Sequence, residues 1–267
     1  MSADEVKLLL ESGADPNAIQ TWENPLLNCL SKLDKFGNRA TEEFIKLGHE
    51  VICLLLEAGA NPNSCDEYSK KTALSMAVEN DLGCNVVSKL IDKGANIDGV
   101  DEDERTPLMF ACDTVWSVPS QTTVPLNNFD VVELLVKSGA NVNAVSQVGM
   151  TALLYASANR GLDVLTVLLD RGADSTLVDQ DDRTALMHAV SSNENLDVIK
   201  KLIDIGLDVD ANDVNGRSLL MLGAGGNANP DVTAFLIETN QNIDAMDEHG
   251  LTPLAHAAST NNLEVVL

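Results

Sequence analysis

The sequence predicts an all-α repeat solenoid, on three observations. A Thr-x-Leu triplet recurs at Thr72, Thr106, Thr151, Thr184 and Thr252, with Ser218-Leu-Leu and Asn24-Pro-Leu as weaker copies, in steps of 48, 34, 45, 33, 34 and 34 residues from Asn24 onward. A Gly-Ala-Asn/Asp landmark keeps the same beat, from Gly13 through Gly59, Gly94, Gly139 and Gly172 to Gly206-Leu-Asp. Between the landmarks apolar residues stand at helical spacing, as in Val131, Val132, Leu134 and Leu135. A fixed internal period of about 20–50 residues is the signature of stacked repeats.

Each unit reads as turn, helix, short loop, helix, glycine cap. The Thr supplies an N-cap, and Pro at the first helical position loses nothing because its missing N–H had no partner in the helix. The glycine closes the second helix in a left-handed cap; in the seventh copy Asn240, the next most tolerant residue, stands in its place. In the unit over 212–245, Gly223 and Ala224 fill a paired small-residue slot, while Gly225 and Gly226 are expected to shorten the first helix into a local weak point.

The long steps hide insertions of about 14 and 12 residues against the regular period, near Asp34 to Leu47 and near Val115 to Leu126, each between the two helices of its repeat. The organisation is one elongated domain, 1–267: a partial repeat over 1–17, repeats over 18–65, 66–99, 100–144, 145–177, 178–211 and 212–245, and a partial repeat over 246–267. Half-repeats at both ends imply a fragment of a longer protein or an end-trimmed array.

Composition narrows the function. With 17 Lys plus Arg against 41 Asp plus Glu the formal charge is -24, which repels phosphate backbones and anionic lipid, so nucleic acid is an unfavourable partner. Met1 to Glu5 lacks a signal-peptide pattern, and no stretch approaches the ~20 apolar residues of a membrane span. Cysteines at 29, 53, 65, 84 and 112 are odd in number and lack a C-x-x-C pair, which predicts reduced, mostly buried thiols. Together these point to a cytoplasmic, reducing location without membrane insertion.

No catalytic, cofactor or metal set assembles. His49, His188, His249 and His256 do not form H-E-x-x-H and read as surface or groove histidines. The run Gly223-Ala-Gly-Gly-Asn-Ala-Asn-Pro230 lacks the Gly-Lys-Ser/Thr ending of a phosphate loop.

The repeat resembles the ankyrin repeat, whose pattern runs D-x-x-G-x-T-P-L-H-x-A and then a second helix ending L-L-x-x-G-A-D/N. The resemblance spans essentially the whole chain. It departs at the His after Thr-Pro-Leu, which is replaced by Leu27, Ser75, Met109, Leu154, Met187, Met221 and Ala255, so the family's Thr–His network is absent. The resemblance implies an ankyrin-repeat α-solenoid with hairpin-like fingers, acting as a non-catalytic scaffold or adaptor for a protein or peptide. A regulatory or targeting segment of a larger enzyme or channel is the alternative.

By the same resemblance, partner contacts fall on the finger tips and at the ends of the first helices, such as Glu79 and Asn80. Tip candidates are Tyr68, Asp101, Glu102, Asp103, Gln147, Met150, Gln180, Asp181, Asn215, Glu248 and His249, with Arg105, Arg183 and Arg217 from a cationic column that reads as structural. Trp116, in the uncharged second insertion, is a further candidate because large aromatics anchor interfaces. The acidic tips Asp101-Glu-Asp-Glu104 and Asp179-Gln-Asp-Asp182 favour a partner with a basic surface, and their side chains are expected to be exposed.

Overall fold

The structure is a computed structural model that describes residues 3–18, 24–33, 42–113, 128–159, 161–239 and 241–259. Among these residues it holds fourteen helices and no regular sheet, with isolated antiparallel bridges at Cys65–Thr72 and Asn212–Ser218. The chain divides into two compact units, 1–111 with 116–141 and 112–115 with 142–267, each treated on its own below.

The first unit carries α1 (Ala3–Glu11), α2 (Pro25–Lys32), α3 (Glu42–Glu57), α4 (Ala73–Glu79), α5 (Gly83–Asp92), nearly all of α6 (Pro107–Cys112) and α7 (Asn128–Lys137). The second carries α8 (Ala152–Asn159), α9 (Leu162–Asp170), α10 (Ala185–Ser192), α11 (Leu196–Asp204), α12 (Leu219–Gly226), α13 (Pro230–Glu238) and α14 (Pro253–Ser259). First and second helices alternate at the positions the repeat predicts. Helix α3 runs 16 residues because residues 42–47 of the first insertion extend it at the N-terminal end. Residues 34–41, the whole second insertion with Trp116, and Asn240 lie outside the described residues.

The triplet works as its chemistry demands. Asn24, Thr72, Thr106, Thr151, Thr184, Ser218 and Thr252 each accept a hydrogen bond from the backbone N–H three residues on, at 2.9–3.4 Å. Three residues into the cap, Ser75 keeps a polar contact with Thr72 (3.1 Å between hydroxyls), while its counterparts Leu27, Met109, Leu154, Met187 and Met221 are buried apolar side chains. The triplet leucines Leu26, Leu74, Leu108, Leu153, Leu186 and Leu220 are all at most 2% exposed. Leu254 is the exception, on the one first helix with no second helix among the described residues.

Two sets of amides stitch neighbouring repeats together. In the turns, the last Asn of one landmark clasps the next: Asn17 donates to Gly59 O and accepts from Asn61 N, Asn63 repeats this with Gly94 and Asn96, and Asn143 with Gly172 and Asp174, all at 2.6–3.0 Å. After the first helices, Asn80 donates to Leu30 O, Asn193 to Ser157 O, and Asn227 to both Val190 O and Asn193 O, at 2.9–3.0 Å. These three side chains are buried, so each bond satisfies a carbonyl that water cannot reach.

Helix α12 corrects the expectation of a shortened helix. It extends to Gly226 and matches α8 and α10 at eight residues. Its glycines are places of close approach: a Cβ on Gly226 would stand 2.8 Å from Ser191 O, and one on Gly223 about 3.0–3.1 Å from Leu236 and Val190. The first helices α10, α12 and α14 pack side by side, and the missing side chains let them do so. Propensity alone would make Gly226→Ala stabilising by ~1 kcal/mol. Because the clash is with backbone, the expected result is a loss of about 1–3 kcal/mol in the denaturation of this unit. A raised midpoint would show that α10 and α12 have room to spare.

Candidate functional site

The surface that can vary without disturbing the helices is the row of fingers, and one side chain organises each finger. Asp101 Oδ1 accepts from the N–H groups of Asp103 and Arg105, Asp179 from Asp181 and Arg183, Asp213 from Asn215 and Arg217, and Asp247 from His249 and Leu251, all at 2.8–3.0 Å. Ser146 does the same with its hydroxyl toward Met150 N (3.1 Å), and Asp66, in a finger one residue longer, holds Ser69. Adjacent fingers are laced by single backbone bonds, Glu102 N to Ser69 O in the first unit, and Gln180 N to Val148 O, Val214 N to Asp181 O and Glu248 N to Asn215 O in the second, at 2.9–3.0 Å.

This geometry corrects two assignments. Asp101, read from sequence as an exposed contact, is 7% exposed and spent on the cap of its own finger. Asn80, read as a groove contact, is buried in the amide stitching. Tyr68, Glu102, Asp103, Gln147, Gln180, Glu248 and His249 are exposed, and Met150, Asp181 and Asn215 are half-buried.

The second carboxylate oxygen ties the finger to its helix. His188 and His256, read as surface or groove residues, lie mostly buried with Nε2 2.9 Å from Asp179 Oδ2 and Asp247 Oδ2 respectively. In the finger between them, Asp213 Oδ2 takes Arg217 at 2.7–2.8 Å and Arg183 Nε at 3.5 Å, so two successive fingers share one buried carboxylate. Burial would raise the Asp213 pKa, but the Arg217 hydrogen bond and the finger N–H groups hold it below the ordinary carboxylate value. The backbone N–H of Leu251 does the same for Asp247.

The rest of the cationic column is also engaged. Lys71 bonds Glu79 at 2.8 and 3.0 Å, and Arg105 lies 4.1 Å above the Phe110 ring, with Lys71 Nζ 5.1 Å from it. A guanidinium or ammonium over an aromatic face is held by the ring quadrupole. The column thus braces the fingers, in keeping with its structural reading.

Among the described residues no His/Cys/Asp/Glu group could hold a metal ion, and no helix is long and apolar enough to cross a membrane. The five cysteines, all among the described residues, form no disulfide. Only Cys112 is fully buried; Cys29, Cys53 and Cys84 are half-buried and Cys65 is exposed, less burial than the composition suggested. Burial pushes the Cys29 thiol up to about 11 despite the nearby Lys32.

One finger slot carries backbone cost. Gly149, Gly216 and Gly250 occupy it with φ of 73–80°, whereas Lys70, Glu104 and Asp182 hold φ of 55–60° in the same slot. A side chain there clashes with its own backbone, at a cost of about 1–2 kcal/mol, and the wider freedom of glycine in the unfolded chain offsets part of any gain. Glu104→Gly and Asp182→Gly should therefore each raise stability by roughly 0.5–1 kcal/mol in urea denaturation, and a loss would mean that these side chains hold their fingers.

The His188 latch sets a pH dependence. Burial holds its pKa below the ordinary imidazole value, with Arg183 acting in the same direction and Asp179 and Asp181 offsetting only part. The unfolded chain then binds the proton more readily than the folded one. The site's contribution to stability is fully present above the unfolded value of about 6.5 and is lost as pH falls through the lowered folded value. Urea midpoints measured from about pH 7 down to about pH 5 should fall, and His188→Gln, which keeps a donor, should flatten that slope. An identical slope in the variant would assign the pH dependence to other groups.

A family model described as ankyrin repeats matches residues 40–117, 122–213 and 186–267. Among curated proteins, the chain is 32% identical over 194 residues to the B-cell lymphoma 3 protein homolog of Mus musculus, covering 70% of this chain and 37% of that protein. It is 30% identical over 191 residues to the B-cell lymphoma 3 protein of Homo sapiens, covering 70% and 36%. To the ankyrin repeat, SAM and basic leucine zipper domain-containing protein 1 of Ovis aries it is 40% identical over 65 residues, 24% of this chain and 14% of that protein. The chain thus spans little more than a third of the B-cell lymphoma 3 proteins it matches. With the repeat matched over most of its length, and the same caps, fingers and helix pairs in both units, this chain belongs to the ankyrin-repeat family.

Proposed function

We propose that the chain is a non-catalytic scaffold or adaptor that binds a protein or peptide through its concave groove and finger tips, in a reducing, cytoplasmic setting, and that the partner presents a basic surface. Ankyrin repeats are protein–protein interaction modules, which carries the first half of this reading. The second half rests on one observation: the exposed tip charges Glu67, Glu102, Asp103, Glu104, Asp182 and Glu248 are acidic, while the column cations are held by Glu79, Phe110 and Asp213. Lys70 is the exception at the tips. An excess of unspent negative charge speeds encounter with a cationic surface and disfavours nucleic acid.

A second reading, a targeting or regulatory segment of a larger enzyme or channel, is favoured by relatives that hold the matched stretch within much longer chains. In that case the same surface binds either the remainder of the protein or its target.

The test is a tip variant carrying Glu102→Gln, Asp103→Asn and Asp182→Asn, leaving the capping Asp101 and Asp179 in place. Proteins retained from a cell extract by the unaltered chain are identified, and the binding kinetics of one are followed at low and physiological salt. Association should slow and its salt dependence flatten in the variant, with little change in dissociation, since rim charges act mainly on encounter. Equal association rates for both forms would remove the basic partner from the reading, and retention of nothing would remove the scaffold role.

A further inference from the structure

We infer that the second unit has another docking face, away from the groove and sharing only Gln147, Gln180 and Glu248 with the tips: the outer side of its finger row, which takes an extended protein segment that alternates aliphatic with Lys or Arg side chains. Side chains on an extended arm alternate between its two faces. In each finger the capping residue, Ser146, Asp179, Asp213 or Asp247, points inward to the cap, so its two neighbours in sequence point outward. All eight of those neighbours are exposed. Four are apolar, Val145, Val178, Val214 and Met246, at 46, 37, 48 and 69% exposure. Gln147 and Gln180, with Asn212 and Glu248, complete the row.

The row is continuous, because the finger-to-finger backbone bonds at Gln180, Val214 and Glu248 hold consecutive fingers at one register. Those bonds also consume tip amides, so an occupant must be recognised by side chains. Singly exposed apolar residues are ordinary on a protein surface, but here each of four successive fingers exposes one beside its capping residue, before it at Val145, Val178 and Met246 and after it at Val214, and apolar patches mark interaction sites.

Charge names the occupant. Below the row, the turns carry exposed Asp174, Asp208, Asp210 and Asp244, and Glu248 lies within the row. No Lys or Arg occurs in 139–149, 172–182, 206–216 or 241–251. Arg183 and Arg217, just after two of these stretches, are drawn inward to the buried Asp213. An aliphatic ridge edged by amides and carboxylates fits a segment whose apolar side chains lie on the ridge while flanking ammonium or guanidinium groups reach its edge. The overall charge of -24 opposes a second copy of the chain as occupant.

The probe is a synthetic peptide alternating leucine with lysine, about ten residues long to span a row of four fingers at ~10 Å per repeat, with a leucine–glutamate peptide of the same length as control. The full chain, isotope-labelled, is titrated and its amide spectrum followed. Shifts should centre on residues 145–148, 178–181, 212–215 and 246–249. Val178→Lys with Met246→Lys should weaken binding about tenfold or more with the remaining spectrum unchanged, since both positions are exposed, while the tip variant Glu102→Gln, Asp103→Asn, Asp182→Asn should bind the peptide nearly as the unaltered chain does. Absence of binding, equal binding of the glutamate peptide, or shifts centred on the first helices would overturn the assignment. Loss of binding in the tip variant with none in the double-lysine variant would overturn it as well, and would leave the groove-and-tip reading standing.

Discussion

In four fingers a carboxylate at the start, Asp101, Asp179, Asp213 or Asp247, accepts two backbone N–H groups with one oxygen, and in the last three a His or Arg side chain binds the other; much of the surface follows from that choice. Because the cap turns the capping residue inward, the neighbours on either side face solvent, and the tip residues lie clear of the core. The cap also fixes the φ of the slot after the tip, which is why Gly149, Gly216 and Gly250 sit there and why Glu104 and Asp182 occupy it under strain. Where Ser146 replaces the carboxylate, the cap persists through a hydroxyl, and the adjoining helix needs no cation or imidazole to neutralise it.

The partner on the second oxygen differs from finger to finger, and the differences have consequences. Histidine at 188 and 256 contacts the carboxylate through one ring nitrogen, with burial holding the His188 pKa low, while arginine at 217 reaches it with two guanidinium nitrogens. Asp213 is further shared with Arg183, which couples two fingers electrostatically as well as through the backbone. Stability in an array of this kind is a sum of repeat and nearest-neighbour terms. The Asn clasps in the turns and the buried Asn80, Asn193 and Asn227 supply the polar part of the neighbour term, and the glycines of α12 supply part of the steric one.

The fold was legible in the sequence because its signals are local. A Thr N-cap, a Pro behind it and a Gly C-cap each act within one helical turn, so their spacing reports the helices directly, and even the two long steps could be placed between helices. What escaped notice depends on contacts across repeats or on side-chain direction. The expectation that Gly225 and Gly226 would end α12 applied propensity where packing decides, since their role lies in the proximity of Ser191 and His256. Asp101 looked like part of an exposed acidic tip because composition cannot distinguish a carboxylate that caps from one that is free. His188 and His256 gave one usable signal, their shared place four residues after the N-cap, nine residues beyond a capping Asp. The outward apolar row has a weaker local signal, a single apolar residue beside each capping residue, before it at Val145, Val178 and Met246 and after it at Val214.

In the five-residue fingers the cap within the loop engages the first side chain and the backbone N–H groups behind it, which leaves the side chains in between free to vary in chemistry while the loop is held. The finger beginning at Asp66 illustrates the tolerance: it carries one extra residue, and Ser69 takes over the bond to the carboxylate while Asp66 N still reaches Lys71 O at 2.9 Å. Each finger is therefore a cassette with standard ends. Its contents can be exchanged between repeats, lengthened by a residue or rewritten entirely, as in the complementarity loops of an antibody scaffold, while the helices beneath see the same hydrogen bonds.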